Sequence, residues 1–92
     1  MLEDLREAIV WGAARALCRA WAGEADLSNK QIESELQRLA RTWLSRQGAP
    51  RNSSDYQSAV AESSSLVTEV RSRANERAET DVNWQQWAFH GR

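Results

Sequence analysis

The sequence is poor in the residues that build most catalytic and metal sites. It contains one cysteine, Cys18, and one histidine, His90. A single cysteine excludes an intramolecular disulfide and fits a reducing compartment, and no His, Cys or Asp set has the spacing of metal ligands. Four scattered glycines do not form a phosphate-binding loop. These shortages predict a protein that is not an enzyme and holds no cofactor or metal.

The chain is also short of large aliphatic residues, long apolar runs and net charge. Its 92 residues include only eight Leu, five Val and two Ile, so an aliphatic core would be small. No apolar run approaches the ~20 residues of a membrane span. A net charge of −1 creates no global field for nucleic acid or an anionic membrane. The first residues are acidic, unlike a signal peptide, so we expect a soluble, cytoplasmic protein.

Five tryptophans compensate for the small number of large aliphatic residues. Each buried aromatic side chain removes about 150–250 Å² from water. We therefore expect one folded domain, residues 1–92, whose core is assisted by aromatics and completed by self-association or by a partner. Eleven of the twelve basic residues are Arg, which hints at a GC-rich genome and hence a bacterial or phage source.

Proline and glycine divide the chain into three helices. The only proline, Pro50, lies in the clearest break, and no alternation is long enough for a strand. Gly23 and Gly48 are the expected helix stops. The predicted elements are helix one at 2–22, helix two at 28–47, a loop at 48–54, helix three at about 55–81 and an aromatic tail at 83–92. The predicted fold is all-α: a helical hairpin with a longer third helix, forming a small three-helix bundle.

Apolar residues mark one face of each predicted helix. The apolar arc of helix one covers about half its circumference, which is broader than one neighbouring helix needs and favours a homodimer or a complex. The seam predicted for helix two is Ile32, Leu36, Leu39 and Trp43. The seam predicted for helix three is Tyr56, Val60, Ser63, Val67, Val70, Ala74 and Ala78. Trp21 and Trp43 continue apolar stripes, so we expect both in the core.

Two capping boxes predict where helices two and three begin. Ser28 and Gln31 have the spacing in which the serine oxygen accepts from the N3 amide and the glutamine reaches back. Leu27 and Ile32 occupy the positions of a hydrophobic staple across this start. A second box is predicted from Ser54 to Gln57.

The aromatic tail does not prolong the seam of helix three. At about 100° per residue from Val67, Trp84 falls near 260° and Trp87 near 200°. We predict a kink or break near 81–83. The tail then either tucks against helices one and two or points outward. A continuous helix with its aromatics toward a partner is the alternative.

These patterns predict a non-enzymatic protein–protein interaction module. It would act as an adaptor, a chaperone-like partner or a small protein inhibitor that docks a helix face and the aromatic tail on a larger protein. Interface hot spots are rich in Trp and Arg, and Trp11 with Arg15 at i+4 predicts either a surface cation–π pair or a contact face. The predicted partner-binding residues are Trp11, Arg15, Trp84, Trp87 and Phe89. The expected partners are another protein and a second copy of the chain, with no membrane and no small-molecule substrate.

The alternative is a nucleic-acid-binding regulator that uses an arginine cluster at the end of helix two. Arginines contact phosphates, and Trp43 is near enough in sequence to stack on a base. Pairing with Glu35 and the helix dipole explains most of the cluster without a ligand. A helix-turn-helix is not predicted, because the break after Gly48 is too long. The cluster consists of Arg38, Arg41, Arg46 and Arg51.

Overall fold

The protein is a bundle of three α-helices. The computed structural model describes residues 2–48 and 53–90, with side chains described through Ala78. The helices are α1 at Glu3–Ala22, α2 at Asn29–Arg46 and α3 at Ser54–His90. No strand occurs in the described part of the chain, and each helix packs against the other two. The predicted all-α fold, a hairpin with a longer third helix, is confirmed.

The helices run up, down and up. From its start toward its end, α1 meets α3 in the same order: Arg6 pairs with Glu69, and the Cys18 thiol lies 3.5 Å from the Ala74 carbonyl oxygen. The antiparallel α2 meets α3 in the reverse order, since Gln37 contacts Ser63 and Arg41 contacts Tyr56.

The wide apolar face of α1 is used inside one chain. Its members are buried because α2 and α3 both pack on it; they are Leu5, Ile9, Val10, Ala13, Ala14 and Leu17. On the same helix, a Cβ built at Gly12 would lie 2.7 Å from Leu39 Cδ1, so α2 approaches closely there. The width of this face, from which a second chain was expected, therefore does not require one.

The start of α2 agrees with the prediction. Ser28 Oγ accepts from the Gln31 backbone N–H at 3.2 Å, and Gln31 Oε1 accepts from the Ser28 N–H at 2.8 Å. Leu27 packs against the core and Ile32 is fully buried, as the staple positions predict. The helix ends at Arg46, and Gly48, just after the cap residue Gln47, has a φ of 76°, a left-handed conformation that favours glycine.

The seams of α2 and α3 are rotated from the predicted ones. In α2 the buried residues are Ile32, Leu36, Ala40 and Leu44, whereas Leu39 and Trp43 are only partly buried. In α3 Ala59 is buried and Val60 is 37% exposed, which corrects the prediction for Val60. The remaining buried residues of α3 are Ser63, Leu66, Val67, Val70 and Ala74. The cap of α3 is also one residue earlier, because Ser53 Oγ accepts from the Tyr56 N–H at 3.3 Å.

No aromatic residue is fully buried among the described side chains. Trp21, Trp43 and Tyr56 pack against the rim of the core, so the prediction that Trp21 and Trp43 lie in the core is met only in part. The core instead contains five alanines, each at most 1% exposed, at 13, 14, 40, 59 and 74. Small residues let helix backbones approach closely, which leaves no space for an indole between them.

α3 is one continuous helix as far as His90. The predicted kink near 81–83 and the placement of the aromatic tail fall outside the residues whose side chains are described, so they stay predictions. At about 1.5 Å per residue its 37 residues span about 55 Å, close to the 53 Å long axis of the molecule. α1 and α2, with 20 and 18 residues, are much shorter, so α3 continues past them.

The end of α1 places strain on a glutamate rather than on the adjacent glycine. The Glu24 N–H donates to the Trp21 carbonyl and the Ala25 N–H to the Ala20 carbonyl, both at 2.9 Å. These are the two bonds of a Schellman motif. Its left-handed position is taken by Glu24, with φ 60°, whereas Gly23 has φ −90°. Gly23 does end the helix, but its lack of a side chain is not what the turn requires.

We predict that Glu24→Gly stabilises the protein. A non-glycine residue in the left-handed region costs about 1–2 kcal/mol, partly offset by the greater unfolded-state freedom of glycine. The net gain is expected to be about 0.5–1 kcal/mol, or several degrees in Tm by thermal circular dichroism.

The neighbouring glycines provide matched controls. Gly23→Ala should leave Tm unchanged or slightly raised, because the new Cβ would lie 3.6 Å from its nearest neighbour, an ordinary contact. Gly48→Ala should lower Tm, because its φ is positive. A lower Tm for Glu24→Gly than for the parent would contradict the assignment of strain to Glu24.

Candidate functional site

An exposed tryptophan of α1 is held by a cation of α3. Trp11 is 37% exposed, and the guanidinium carbon of Arg73 lies 5.0 Å from its ring centroid. Among the described residues, the cation over this ring is Arg73 and not the predicted Arg15, which lies exposed on α1. The indole is thus positioned across two helices.

Charged side chains surround this pair. Arg73 Nη2 lies 3.6 Å from a carboxylate oxygen of Glu7 and 3.3 Å from one of Glu69. Glu69 and Arg73 are four residues apart on α3, in the order that favours an ion pair along a helix. Arg6 also donates to Glu69. Each of these side chains is partly exposed, so each pair alone contributes little stability. Together they orient Arg73 over the tryptophan ring.

Helical periodicity predicts that Trp84 and Trp87 lie on the same side of α3 as Arg73. Taking Val67 as zero, Arg73 lies at about 240°, Trp84 at about 260° and Trp87 at about 200°. Phe89 lies at about 40°, close to the line of Val67. The side chains of Trp84, Trp87 and Phe89 lie outside the described residues, so only their backbone register is established.

We call the set Trp11, Arg73, Arg77, Trp84 and Trp87 the Trp–Arg surface. Contacts place Trp11 and Arg73 together, whereas the membership of Trp84 and Trp87 is a prediction from helical periodicity. Arg15, one turn after Trp11 on the same helix, lies beside it in sequence register. Arg73 and Arg77 were not predicted as contact residues. The signal that could have found them is their spacing of 11 and 7 residues before Trp84, which brings all three to one face of a helix.

The arginine cluster of α2 is engaged by its own neighbours. Arg38 Nε donates to Glu35 at 3.1 Å, and this hydrogen bond raises the pKa of Arg38. Arg41 donates to the Tyr56 hydroxyl at 2.8 Å, and its guanidinium lies 5.4 Å from the centroid of that ring. Arg46 is exposed near the end of the helix, and Arg51 lies outside the described residues. The predicted intrahelical pairing with Glu35 is confirmed.

A second cation clamps the loop between α1 and α2. Arg71 Nη2 donates to the Leu27 carbonyl and to Asn29 Oδ1, both at 2.9 Å. The Asp26 carboxylate accepts from Trp21 Nε1 at 2.9 Å and from the Leu27 N–H at 2.9 Å, and it lies 3.7 Å from Arg71. The Trp21 hydrogen bond, the Leu27 N–H and Arg71 together lower the pKa of Asp26 below its ordinary value. This cluster holds the hairpin on α3.

No group of three or more His, Cys, Asp or Glu residues in the described part of the chain could hold a metal ion. A shallow groove of about 450 Å³ beside α2 is lined by residues that include Ala16, Leu27, Lys30, Glu35 and Arg38. His90 lies at the end of α3, where side chains are not described. No helix of the described part is long and apolar enough to span a bilayer.

Comparisons of this chain with protein-family models, curated proteins and solved structures found no match.

We predict that the Asp26 carboxyl titrates below its ordinary pKa of 3.8. Because folding lowers this pKa, the interaction stabilises the fold above that value and the stabilisation is lost as the pH falls through the lower, folded-state pKa. An NMR titration of the Asp26 carboxyl carbon measures the midpoint directly.

Trp21→Phe removes the largest cause of the shift and should move the Asp26 midpoint upward toward 3.8. Trp43→Phe is the matched control, since it changes an indole that packs elsewhere on the rim of the core. A parent midpoint at or above 3.8, or equal midpoints in both variants, would show that the Trp21–Asp26 hydrogen bond does not form in solution.

Proposed function

We propose that this chain is a non-enzymatic protein-interaction module that binds a larger protein through the Trp–Arg surface. The observation that carries the proposal is the position of Trp11, which is exposed yet held by Arg73 across α1 and α3. In this role the chain acts as an adaptor, a chaperone-like partner or a small protein inhibitor. We further propose a bacterial or phage origin and a cytoplasmic location.

Energetic reasons support this use of Trp11. An indole held in one orientation loses little conformational freedom when a partner covers it, so more of its burial appears as affinity. Trp and Arg are the residue types most enriched among interface hot spots. A single exposed tryptophan would be unremarkable by itself. The proposal also uses a prediction from helical periodicity, that the face of α3 carrying Arg73 leads to Trp84 and Trp87.

The extension of α3 supports the same proposal. Arg71 lies level with the loop between α1 and α2, because it binds Leu27 and Asn29. The backbone from 79 to 90 continues beyond that level as helix. Twelve residues with Val, Thr, Asn and three aromatics are weak helix formers, and isolated helices of this length are marginal in water. A partner that packs on the extension would supply the missing stability.

We predict that Trp11→Ala and Trp84→Ala each weaken binding of the captured partner by about 2 kcal/mol, or about 30-fold in Kd. The partner would first be captured from a lysate of the source cells with the full chain and identified by mass spectrometry. Affinities would then be measured with the purified pair by isothermal titration calorimetry.

Val60→Ala provides a matched control, because Val60 is as exposed as Trp11, at 37% each, but lies outside the Trp–Arg surface. It should change Kd less than threefold. Phe89→Ala tests the helix face, since Phe89 lies on the other side of α3 from Trp84. An equal loss from Val60→Ala, or no loss from either tryptophan variant with helicity intact, would contradict the proposal.

The nucleic-acid alternative is disfavoured by the contacts of its own residues. Two of the four predicted arginines, Arg38 and Arg41, are already engaged by Glu35 and Tyr56. We predict no binding to mixed-sequence DNA or RNA at about 50 mM salt in a fluorescence-anisotropy titration. Affinity that falls steeply as salt is raised would instead indicate phosphate contacts and favour the alternative.

A further inference from the structure

The groove beside α2 lies on a side of the hairpin that the third helix leaves open. It is lined by Ala16 of α1, by Leu27 of the loop and by five residues of α2, and no described residue of α3 takes part. Its volume is about 450 Å³, and apolar atoms form most of its wall. The groove is therefore a place where another molecule can meet both helices of the hairpin at once.

Small residues of α1 explain why the groove exists. At Gly12 the two helices approach so closely that an added Cβ would lie 2.7 Å from Leu39 Cδ1. One turn later on α1, Ala16 lines the groove together with Glu35 of α2. A methyl group at this position leaves the space between the two helices unfilled. The groove can therefore accept an apolar side chain of another molecule.

Positive charge borders the groove. Arg19 is three residues after Ala16, so the two are neighbours on the surface of α1, and Arg15 is one turn before Arg19. Lys30 lines the groove from the first turn of α2. All three cations are exposed, and none makes an ion pair with a described residue. Their charge is therefore available to a partner.

The carboxylates nearest to the groove are mostly engaged. Glu35 accepts from Arg38 at 3.1 Å, and Asp26 accepts from an indole N–H and a backbone N–H, both at 2.9 Å. Residues 13–22, the second half of α1, include no acidic residue. Glu24, in the turn that follows, is one exposed carboxylate against three exposed cations. The unpaired charge around the groove is therefore positive.

We propose that this groove binds an acidic amphipathic helix of a second protein, with an apolar side chain beside Ala16 and Leu27 and carboxylates on Arg15, Arg19 and Lys30. We call these five residues the basic groove. Two packed helices form a groove into which a third helix fits its ridge of side chains. The apolar wall favours a peptide over a nucleic acid, whose phosphates gain nothing from it. The basic groove shares no residue with the Trp–Arg surface and so goes beyond the proposed function.

A synthetic probe tests the binding. The probe is a fluorescein-labelled peptide that repeats Leu-Glu-Glu-Ala, which are strong helix formers, and its leucines recur every four residues along one face. In a fluorescence-anisotropy titration with the full chain, we expect a Kd of about 10–100 μM, because the groove is shallow and the interface small. Raising the salt from about 50 to about 200 mM should weaken binding several-fold, because exposed charges are screened.

Arg19→Glu and Arg46→Glu are a matched pair of variants. Each arginine is exposed and is the basic residue in the last turn of its helix, so both changes alter the net charge and the helix terminus alike. Arg19→Glu should raise Kd by about tenfold or more, because it places a like charge against the probe. Arg46→Glu should change Kd less than about threefold, since it lies at the other end of α2 from Lys30. Equal effects would show that only net charge matters and would overturn the basic groove.

Changed probes separate the apolar contact from the charged one. Replacing each leucine by alanine, or each glutamate by glutamine, should weaken binding by about fivefold or more, because either change removes one half of the recognition. An alanine–glutamate probe that binds as tightly as the original overturns the peptide assignment. So does single-stranded DNA that binds more tightly than the probe and loses affinity in Arg19→Glu. No binding of the original probe at about 1 mM chain also overturns the inference.

The basic groove and the Trp–Arg surface fail in different ways. A probe that does not bind, together with a captured partner that depends on Trp11 and Trp84, overturns the basic groove and leaves the proposed function standing. A probe whose affinity falls in Arg19→Glu but not in Trp11→Ala supports the basic groove, even where the captured partner ignores Trp11 and Trp84.

Discussion

The close approach of three helices along a line of alanines is the constraint on which the rest of this structure depends. With few large aliphatic residues, the chain cannot fill a wide core. Five buried alanines and Gly12 bring the backbones together until a few leucines, isoleucines and valines suffice. The same closeness leaves no room for indoles, so the described tryptophans lie at the rim or at the surface. Their availability at the surface follows from how the core is packed.

Two arginines of α3 make polar contacts that join this helix to α1 and to the loop between α1 and α2. Arg71 binds the loop between α1 and α2 and sets the level at which that hairpin ends. Arg73, half a turn away, holds Trp11 and is itself held by Glu7 and Glu69. The face of α3 that carries Arg71 therefore fixes the hairpin, and the face that carries Arg73 holds the exposed ring of Trp11. We propose that the part of α3 beyond this level takes part in partner binding.

Interactions between residues close in sequence predicted the helices well, whereas the packing of one helix on another was predicted less well. The Ser28–Gln31 capping box and the stop signal at Gly48 depend only on neighbouring residues, so the sequence predicted both. The sequence could not predict that Ala59 is buried rather than Val60, or Ala40 rather than Leu39. Hydrophobicity favours the larger residue, whereas burial depends on where the other helices lie. Trp11 was singled out from the sequence, but the cation over its ring, Arg73, is 62 residues away in sequence, where periodicity within one helix carries no information.

The sequence by itself determined that this chain forms three helices, where two of them begin and end, and that its aromatics would not all fit one apolar stripe. These properties arise from interactions over a few residues. Only the tertiary structure decided that the broad face of α1 serves two neighbours in one chain, that Glu24 takes the left-handed turn, and that Arg73 of α3 lies over the ring of Trp11. Those outcomes depend on the mutual rotation of packed helices, which is set by the whole core at once.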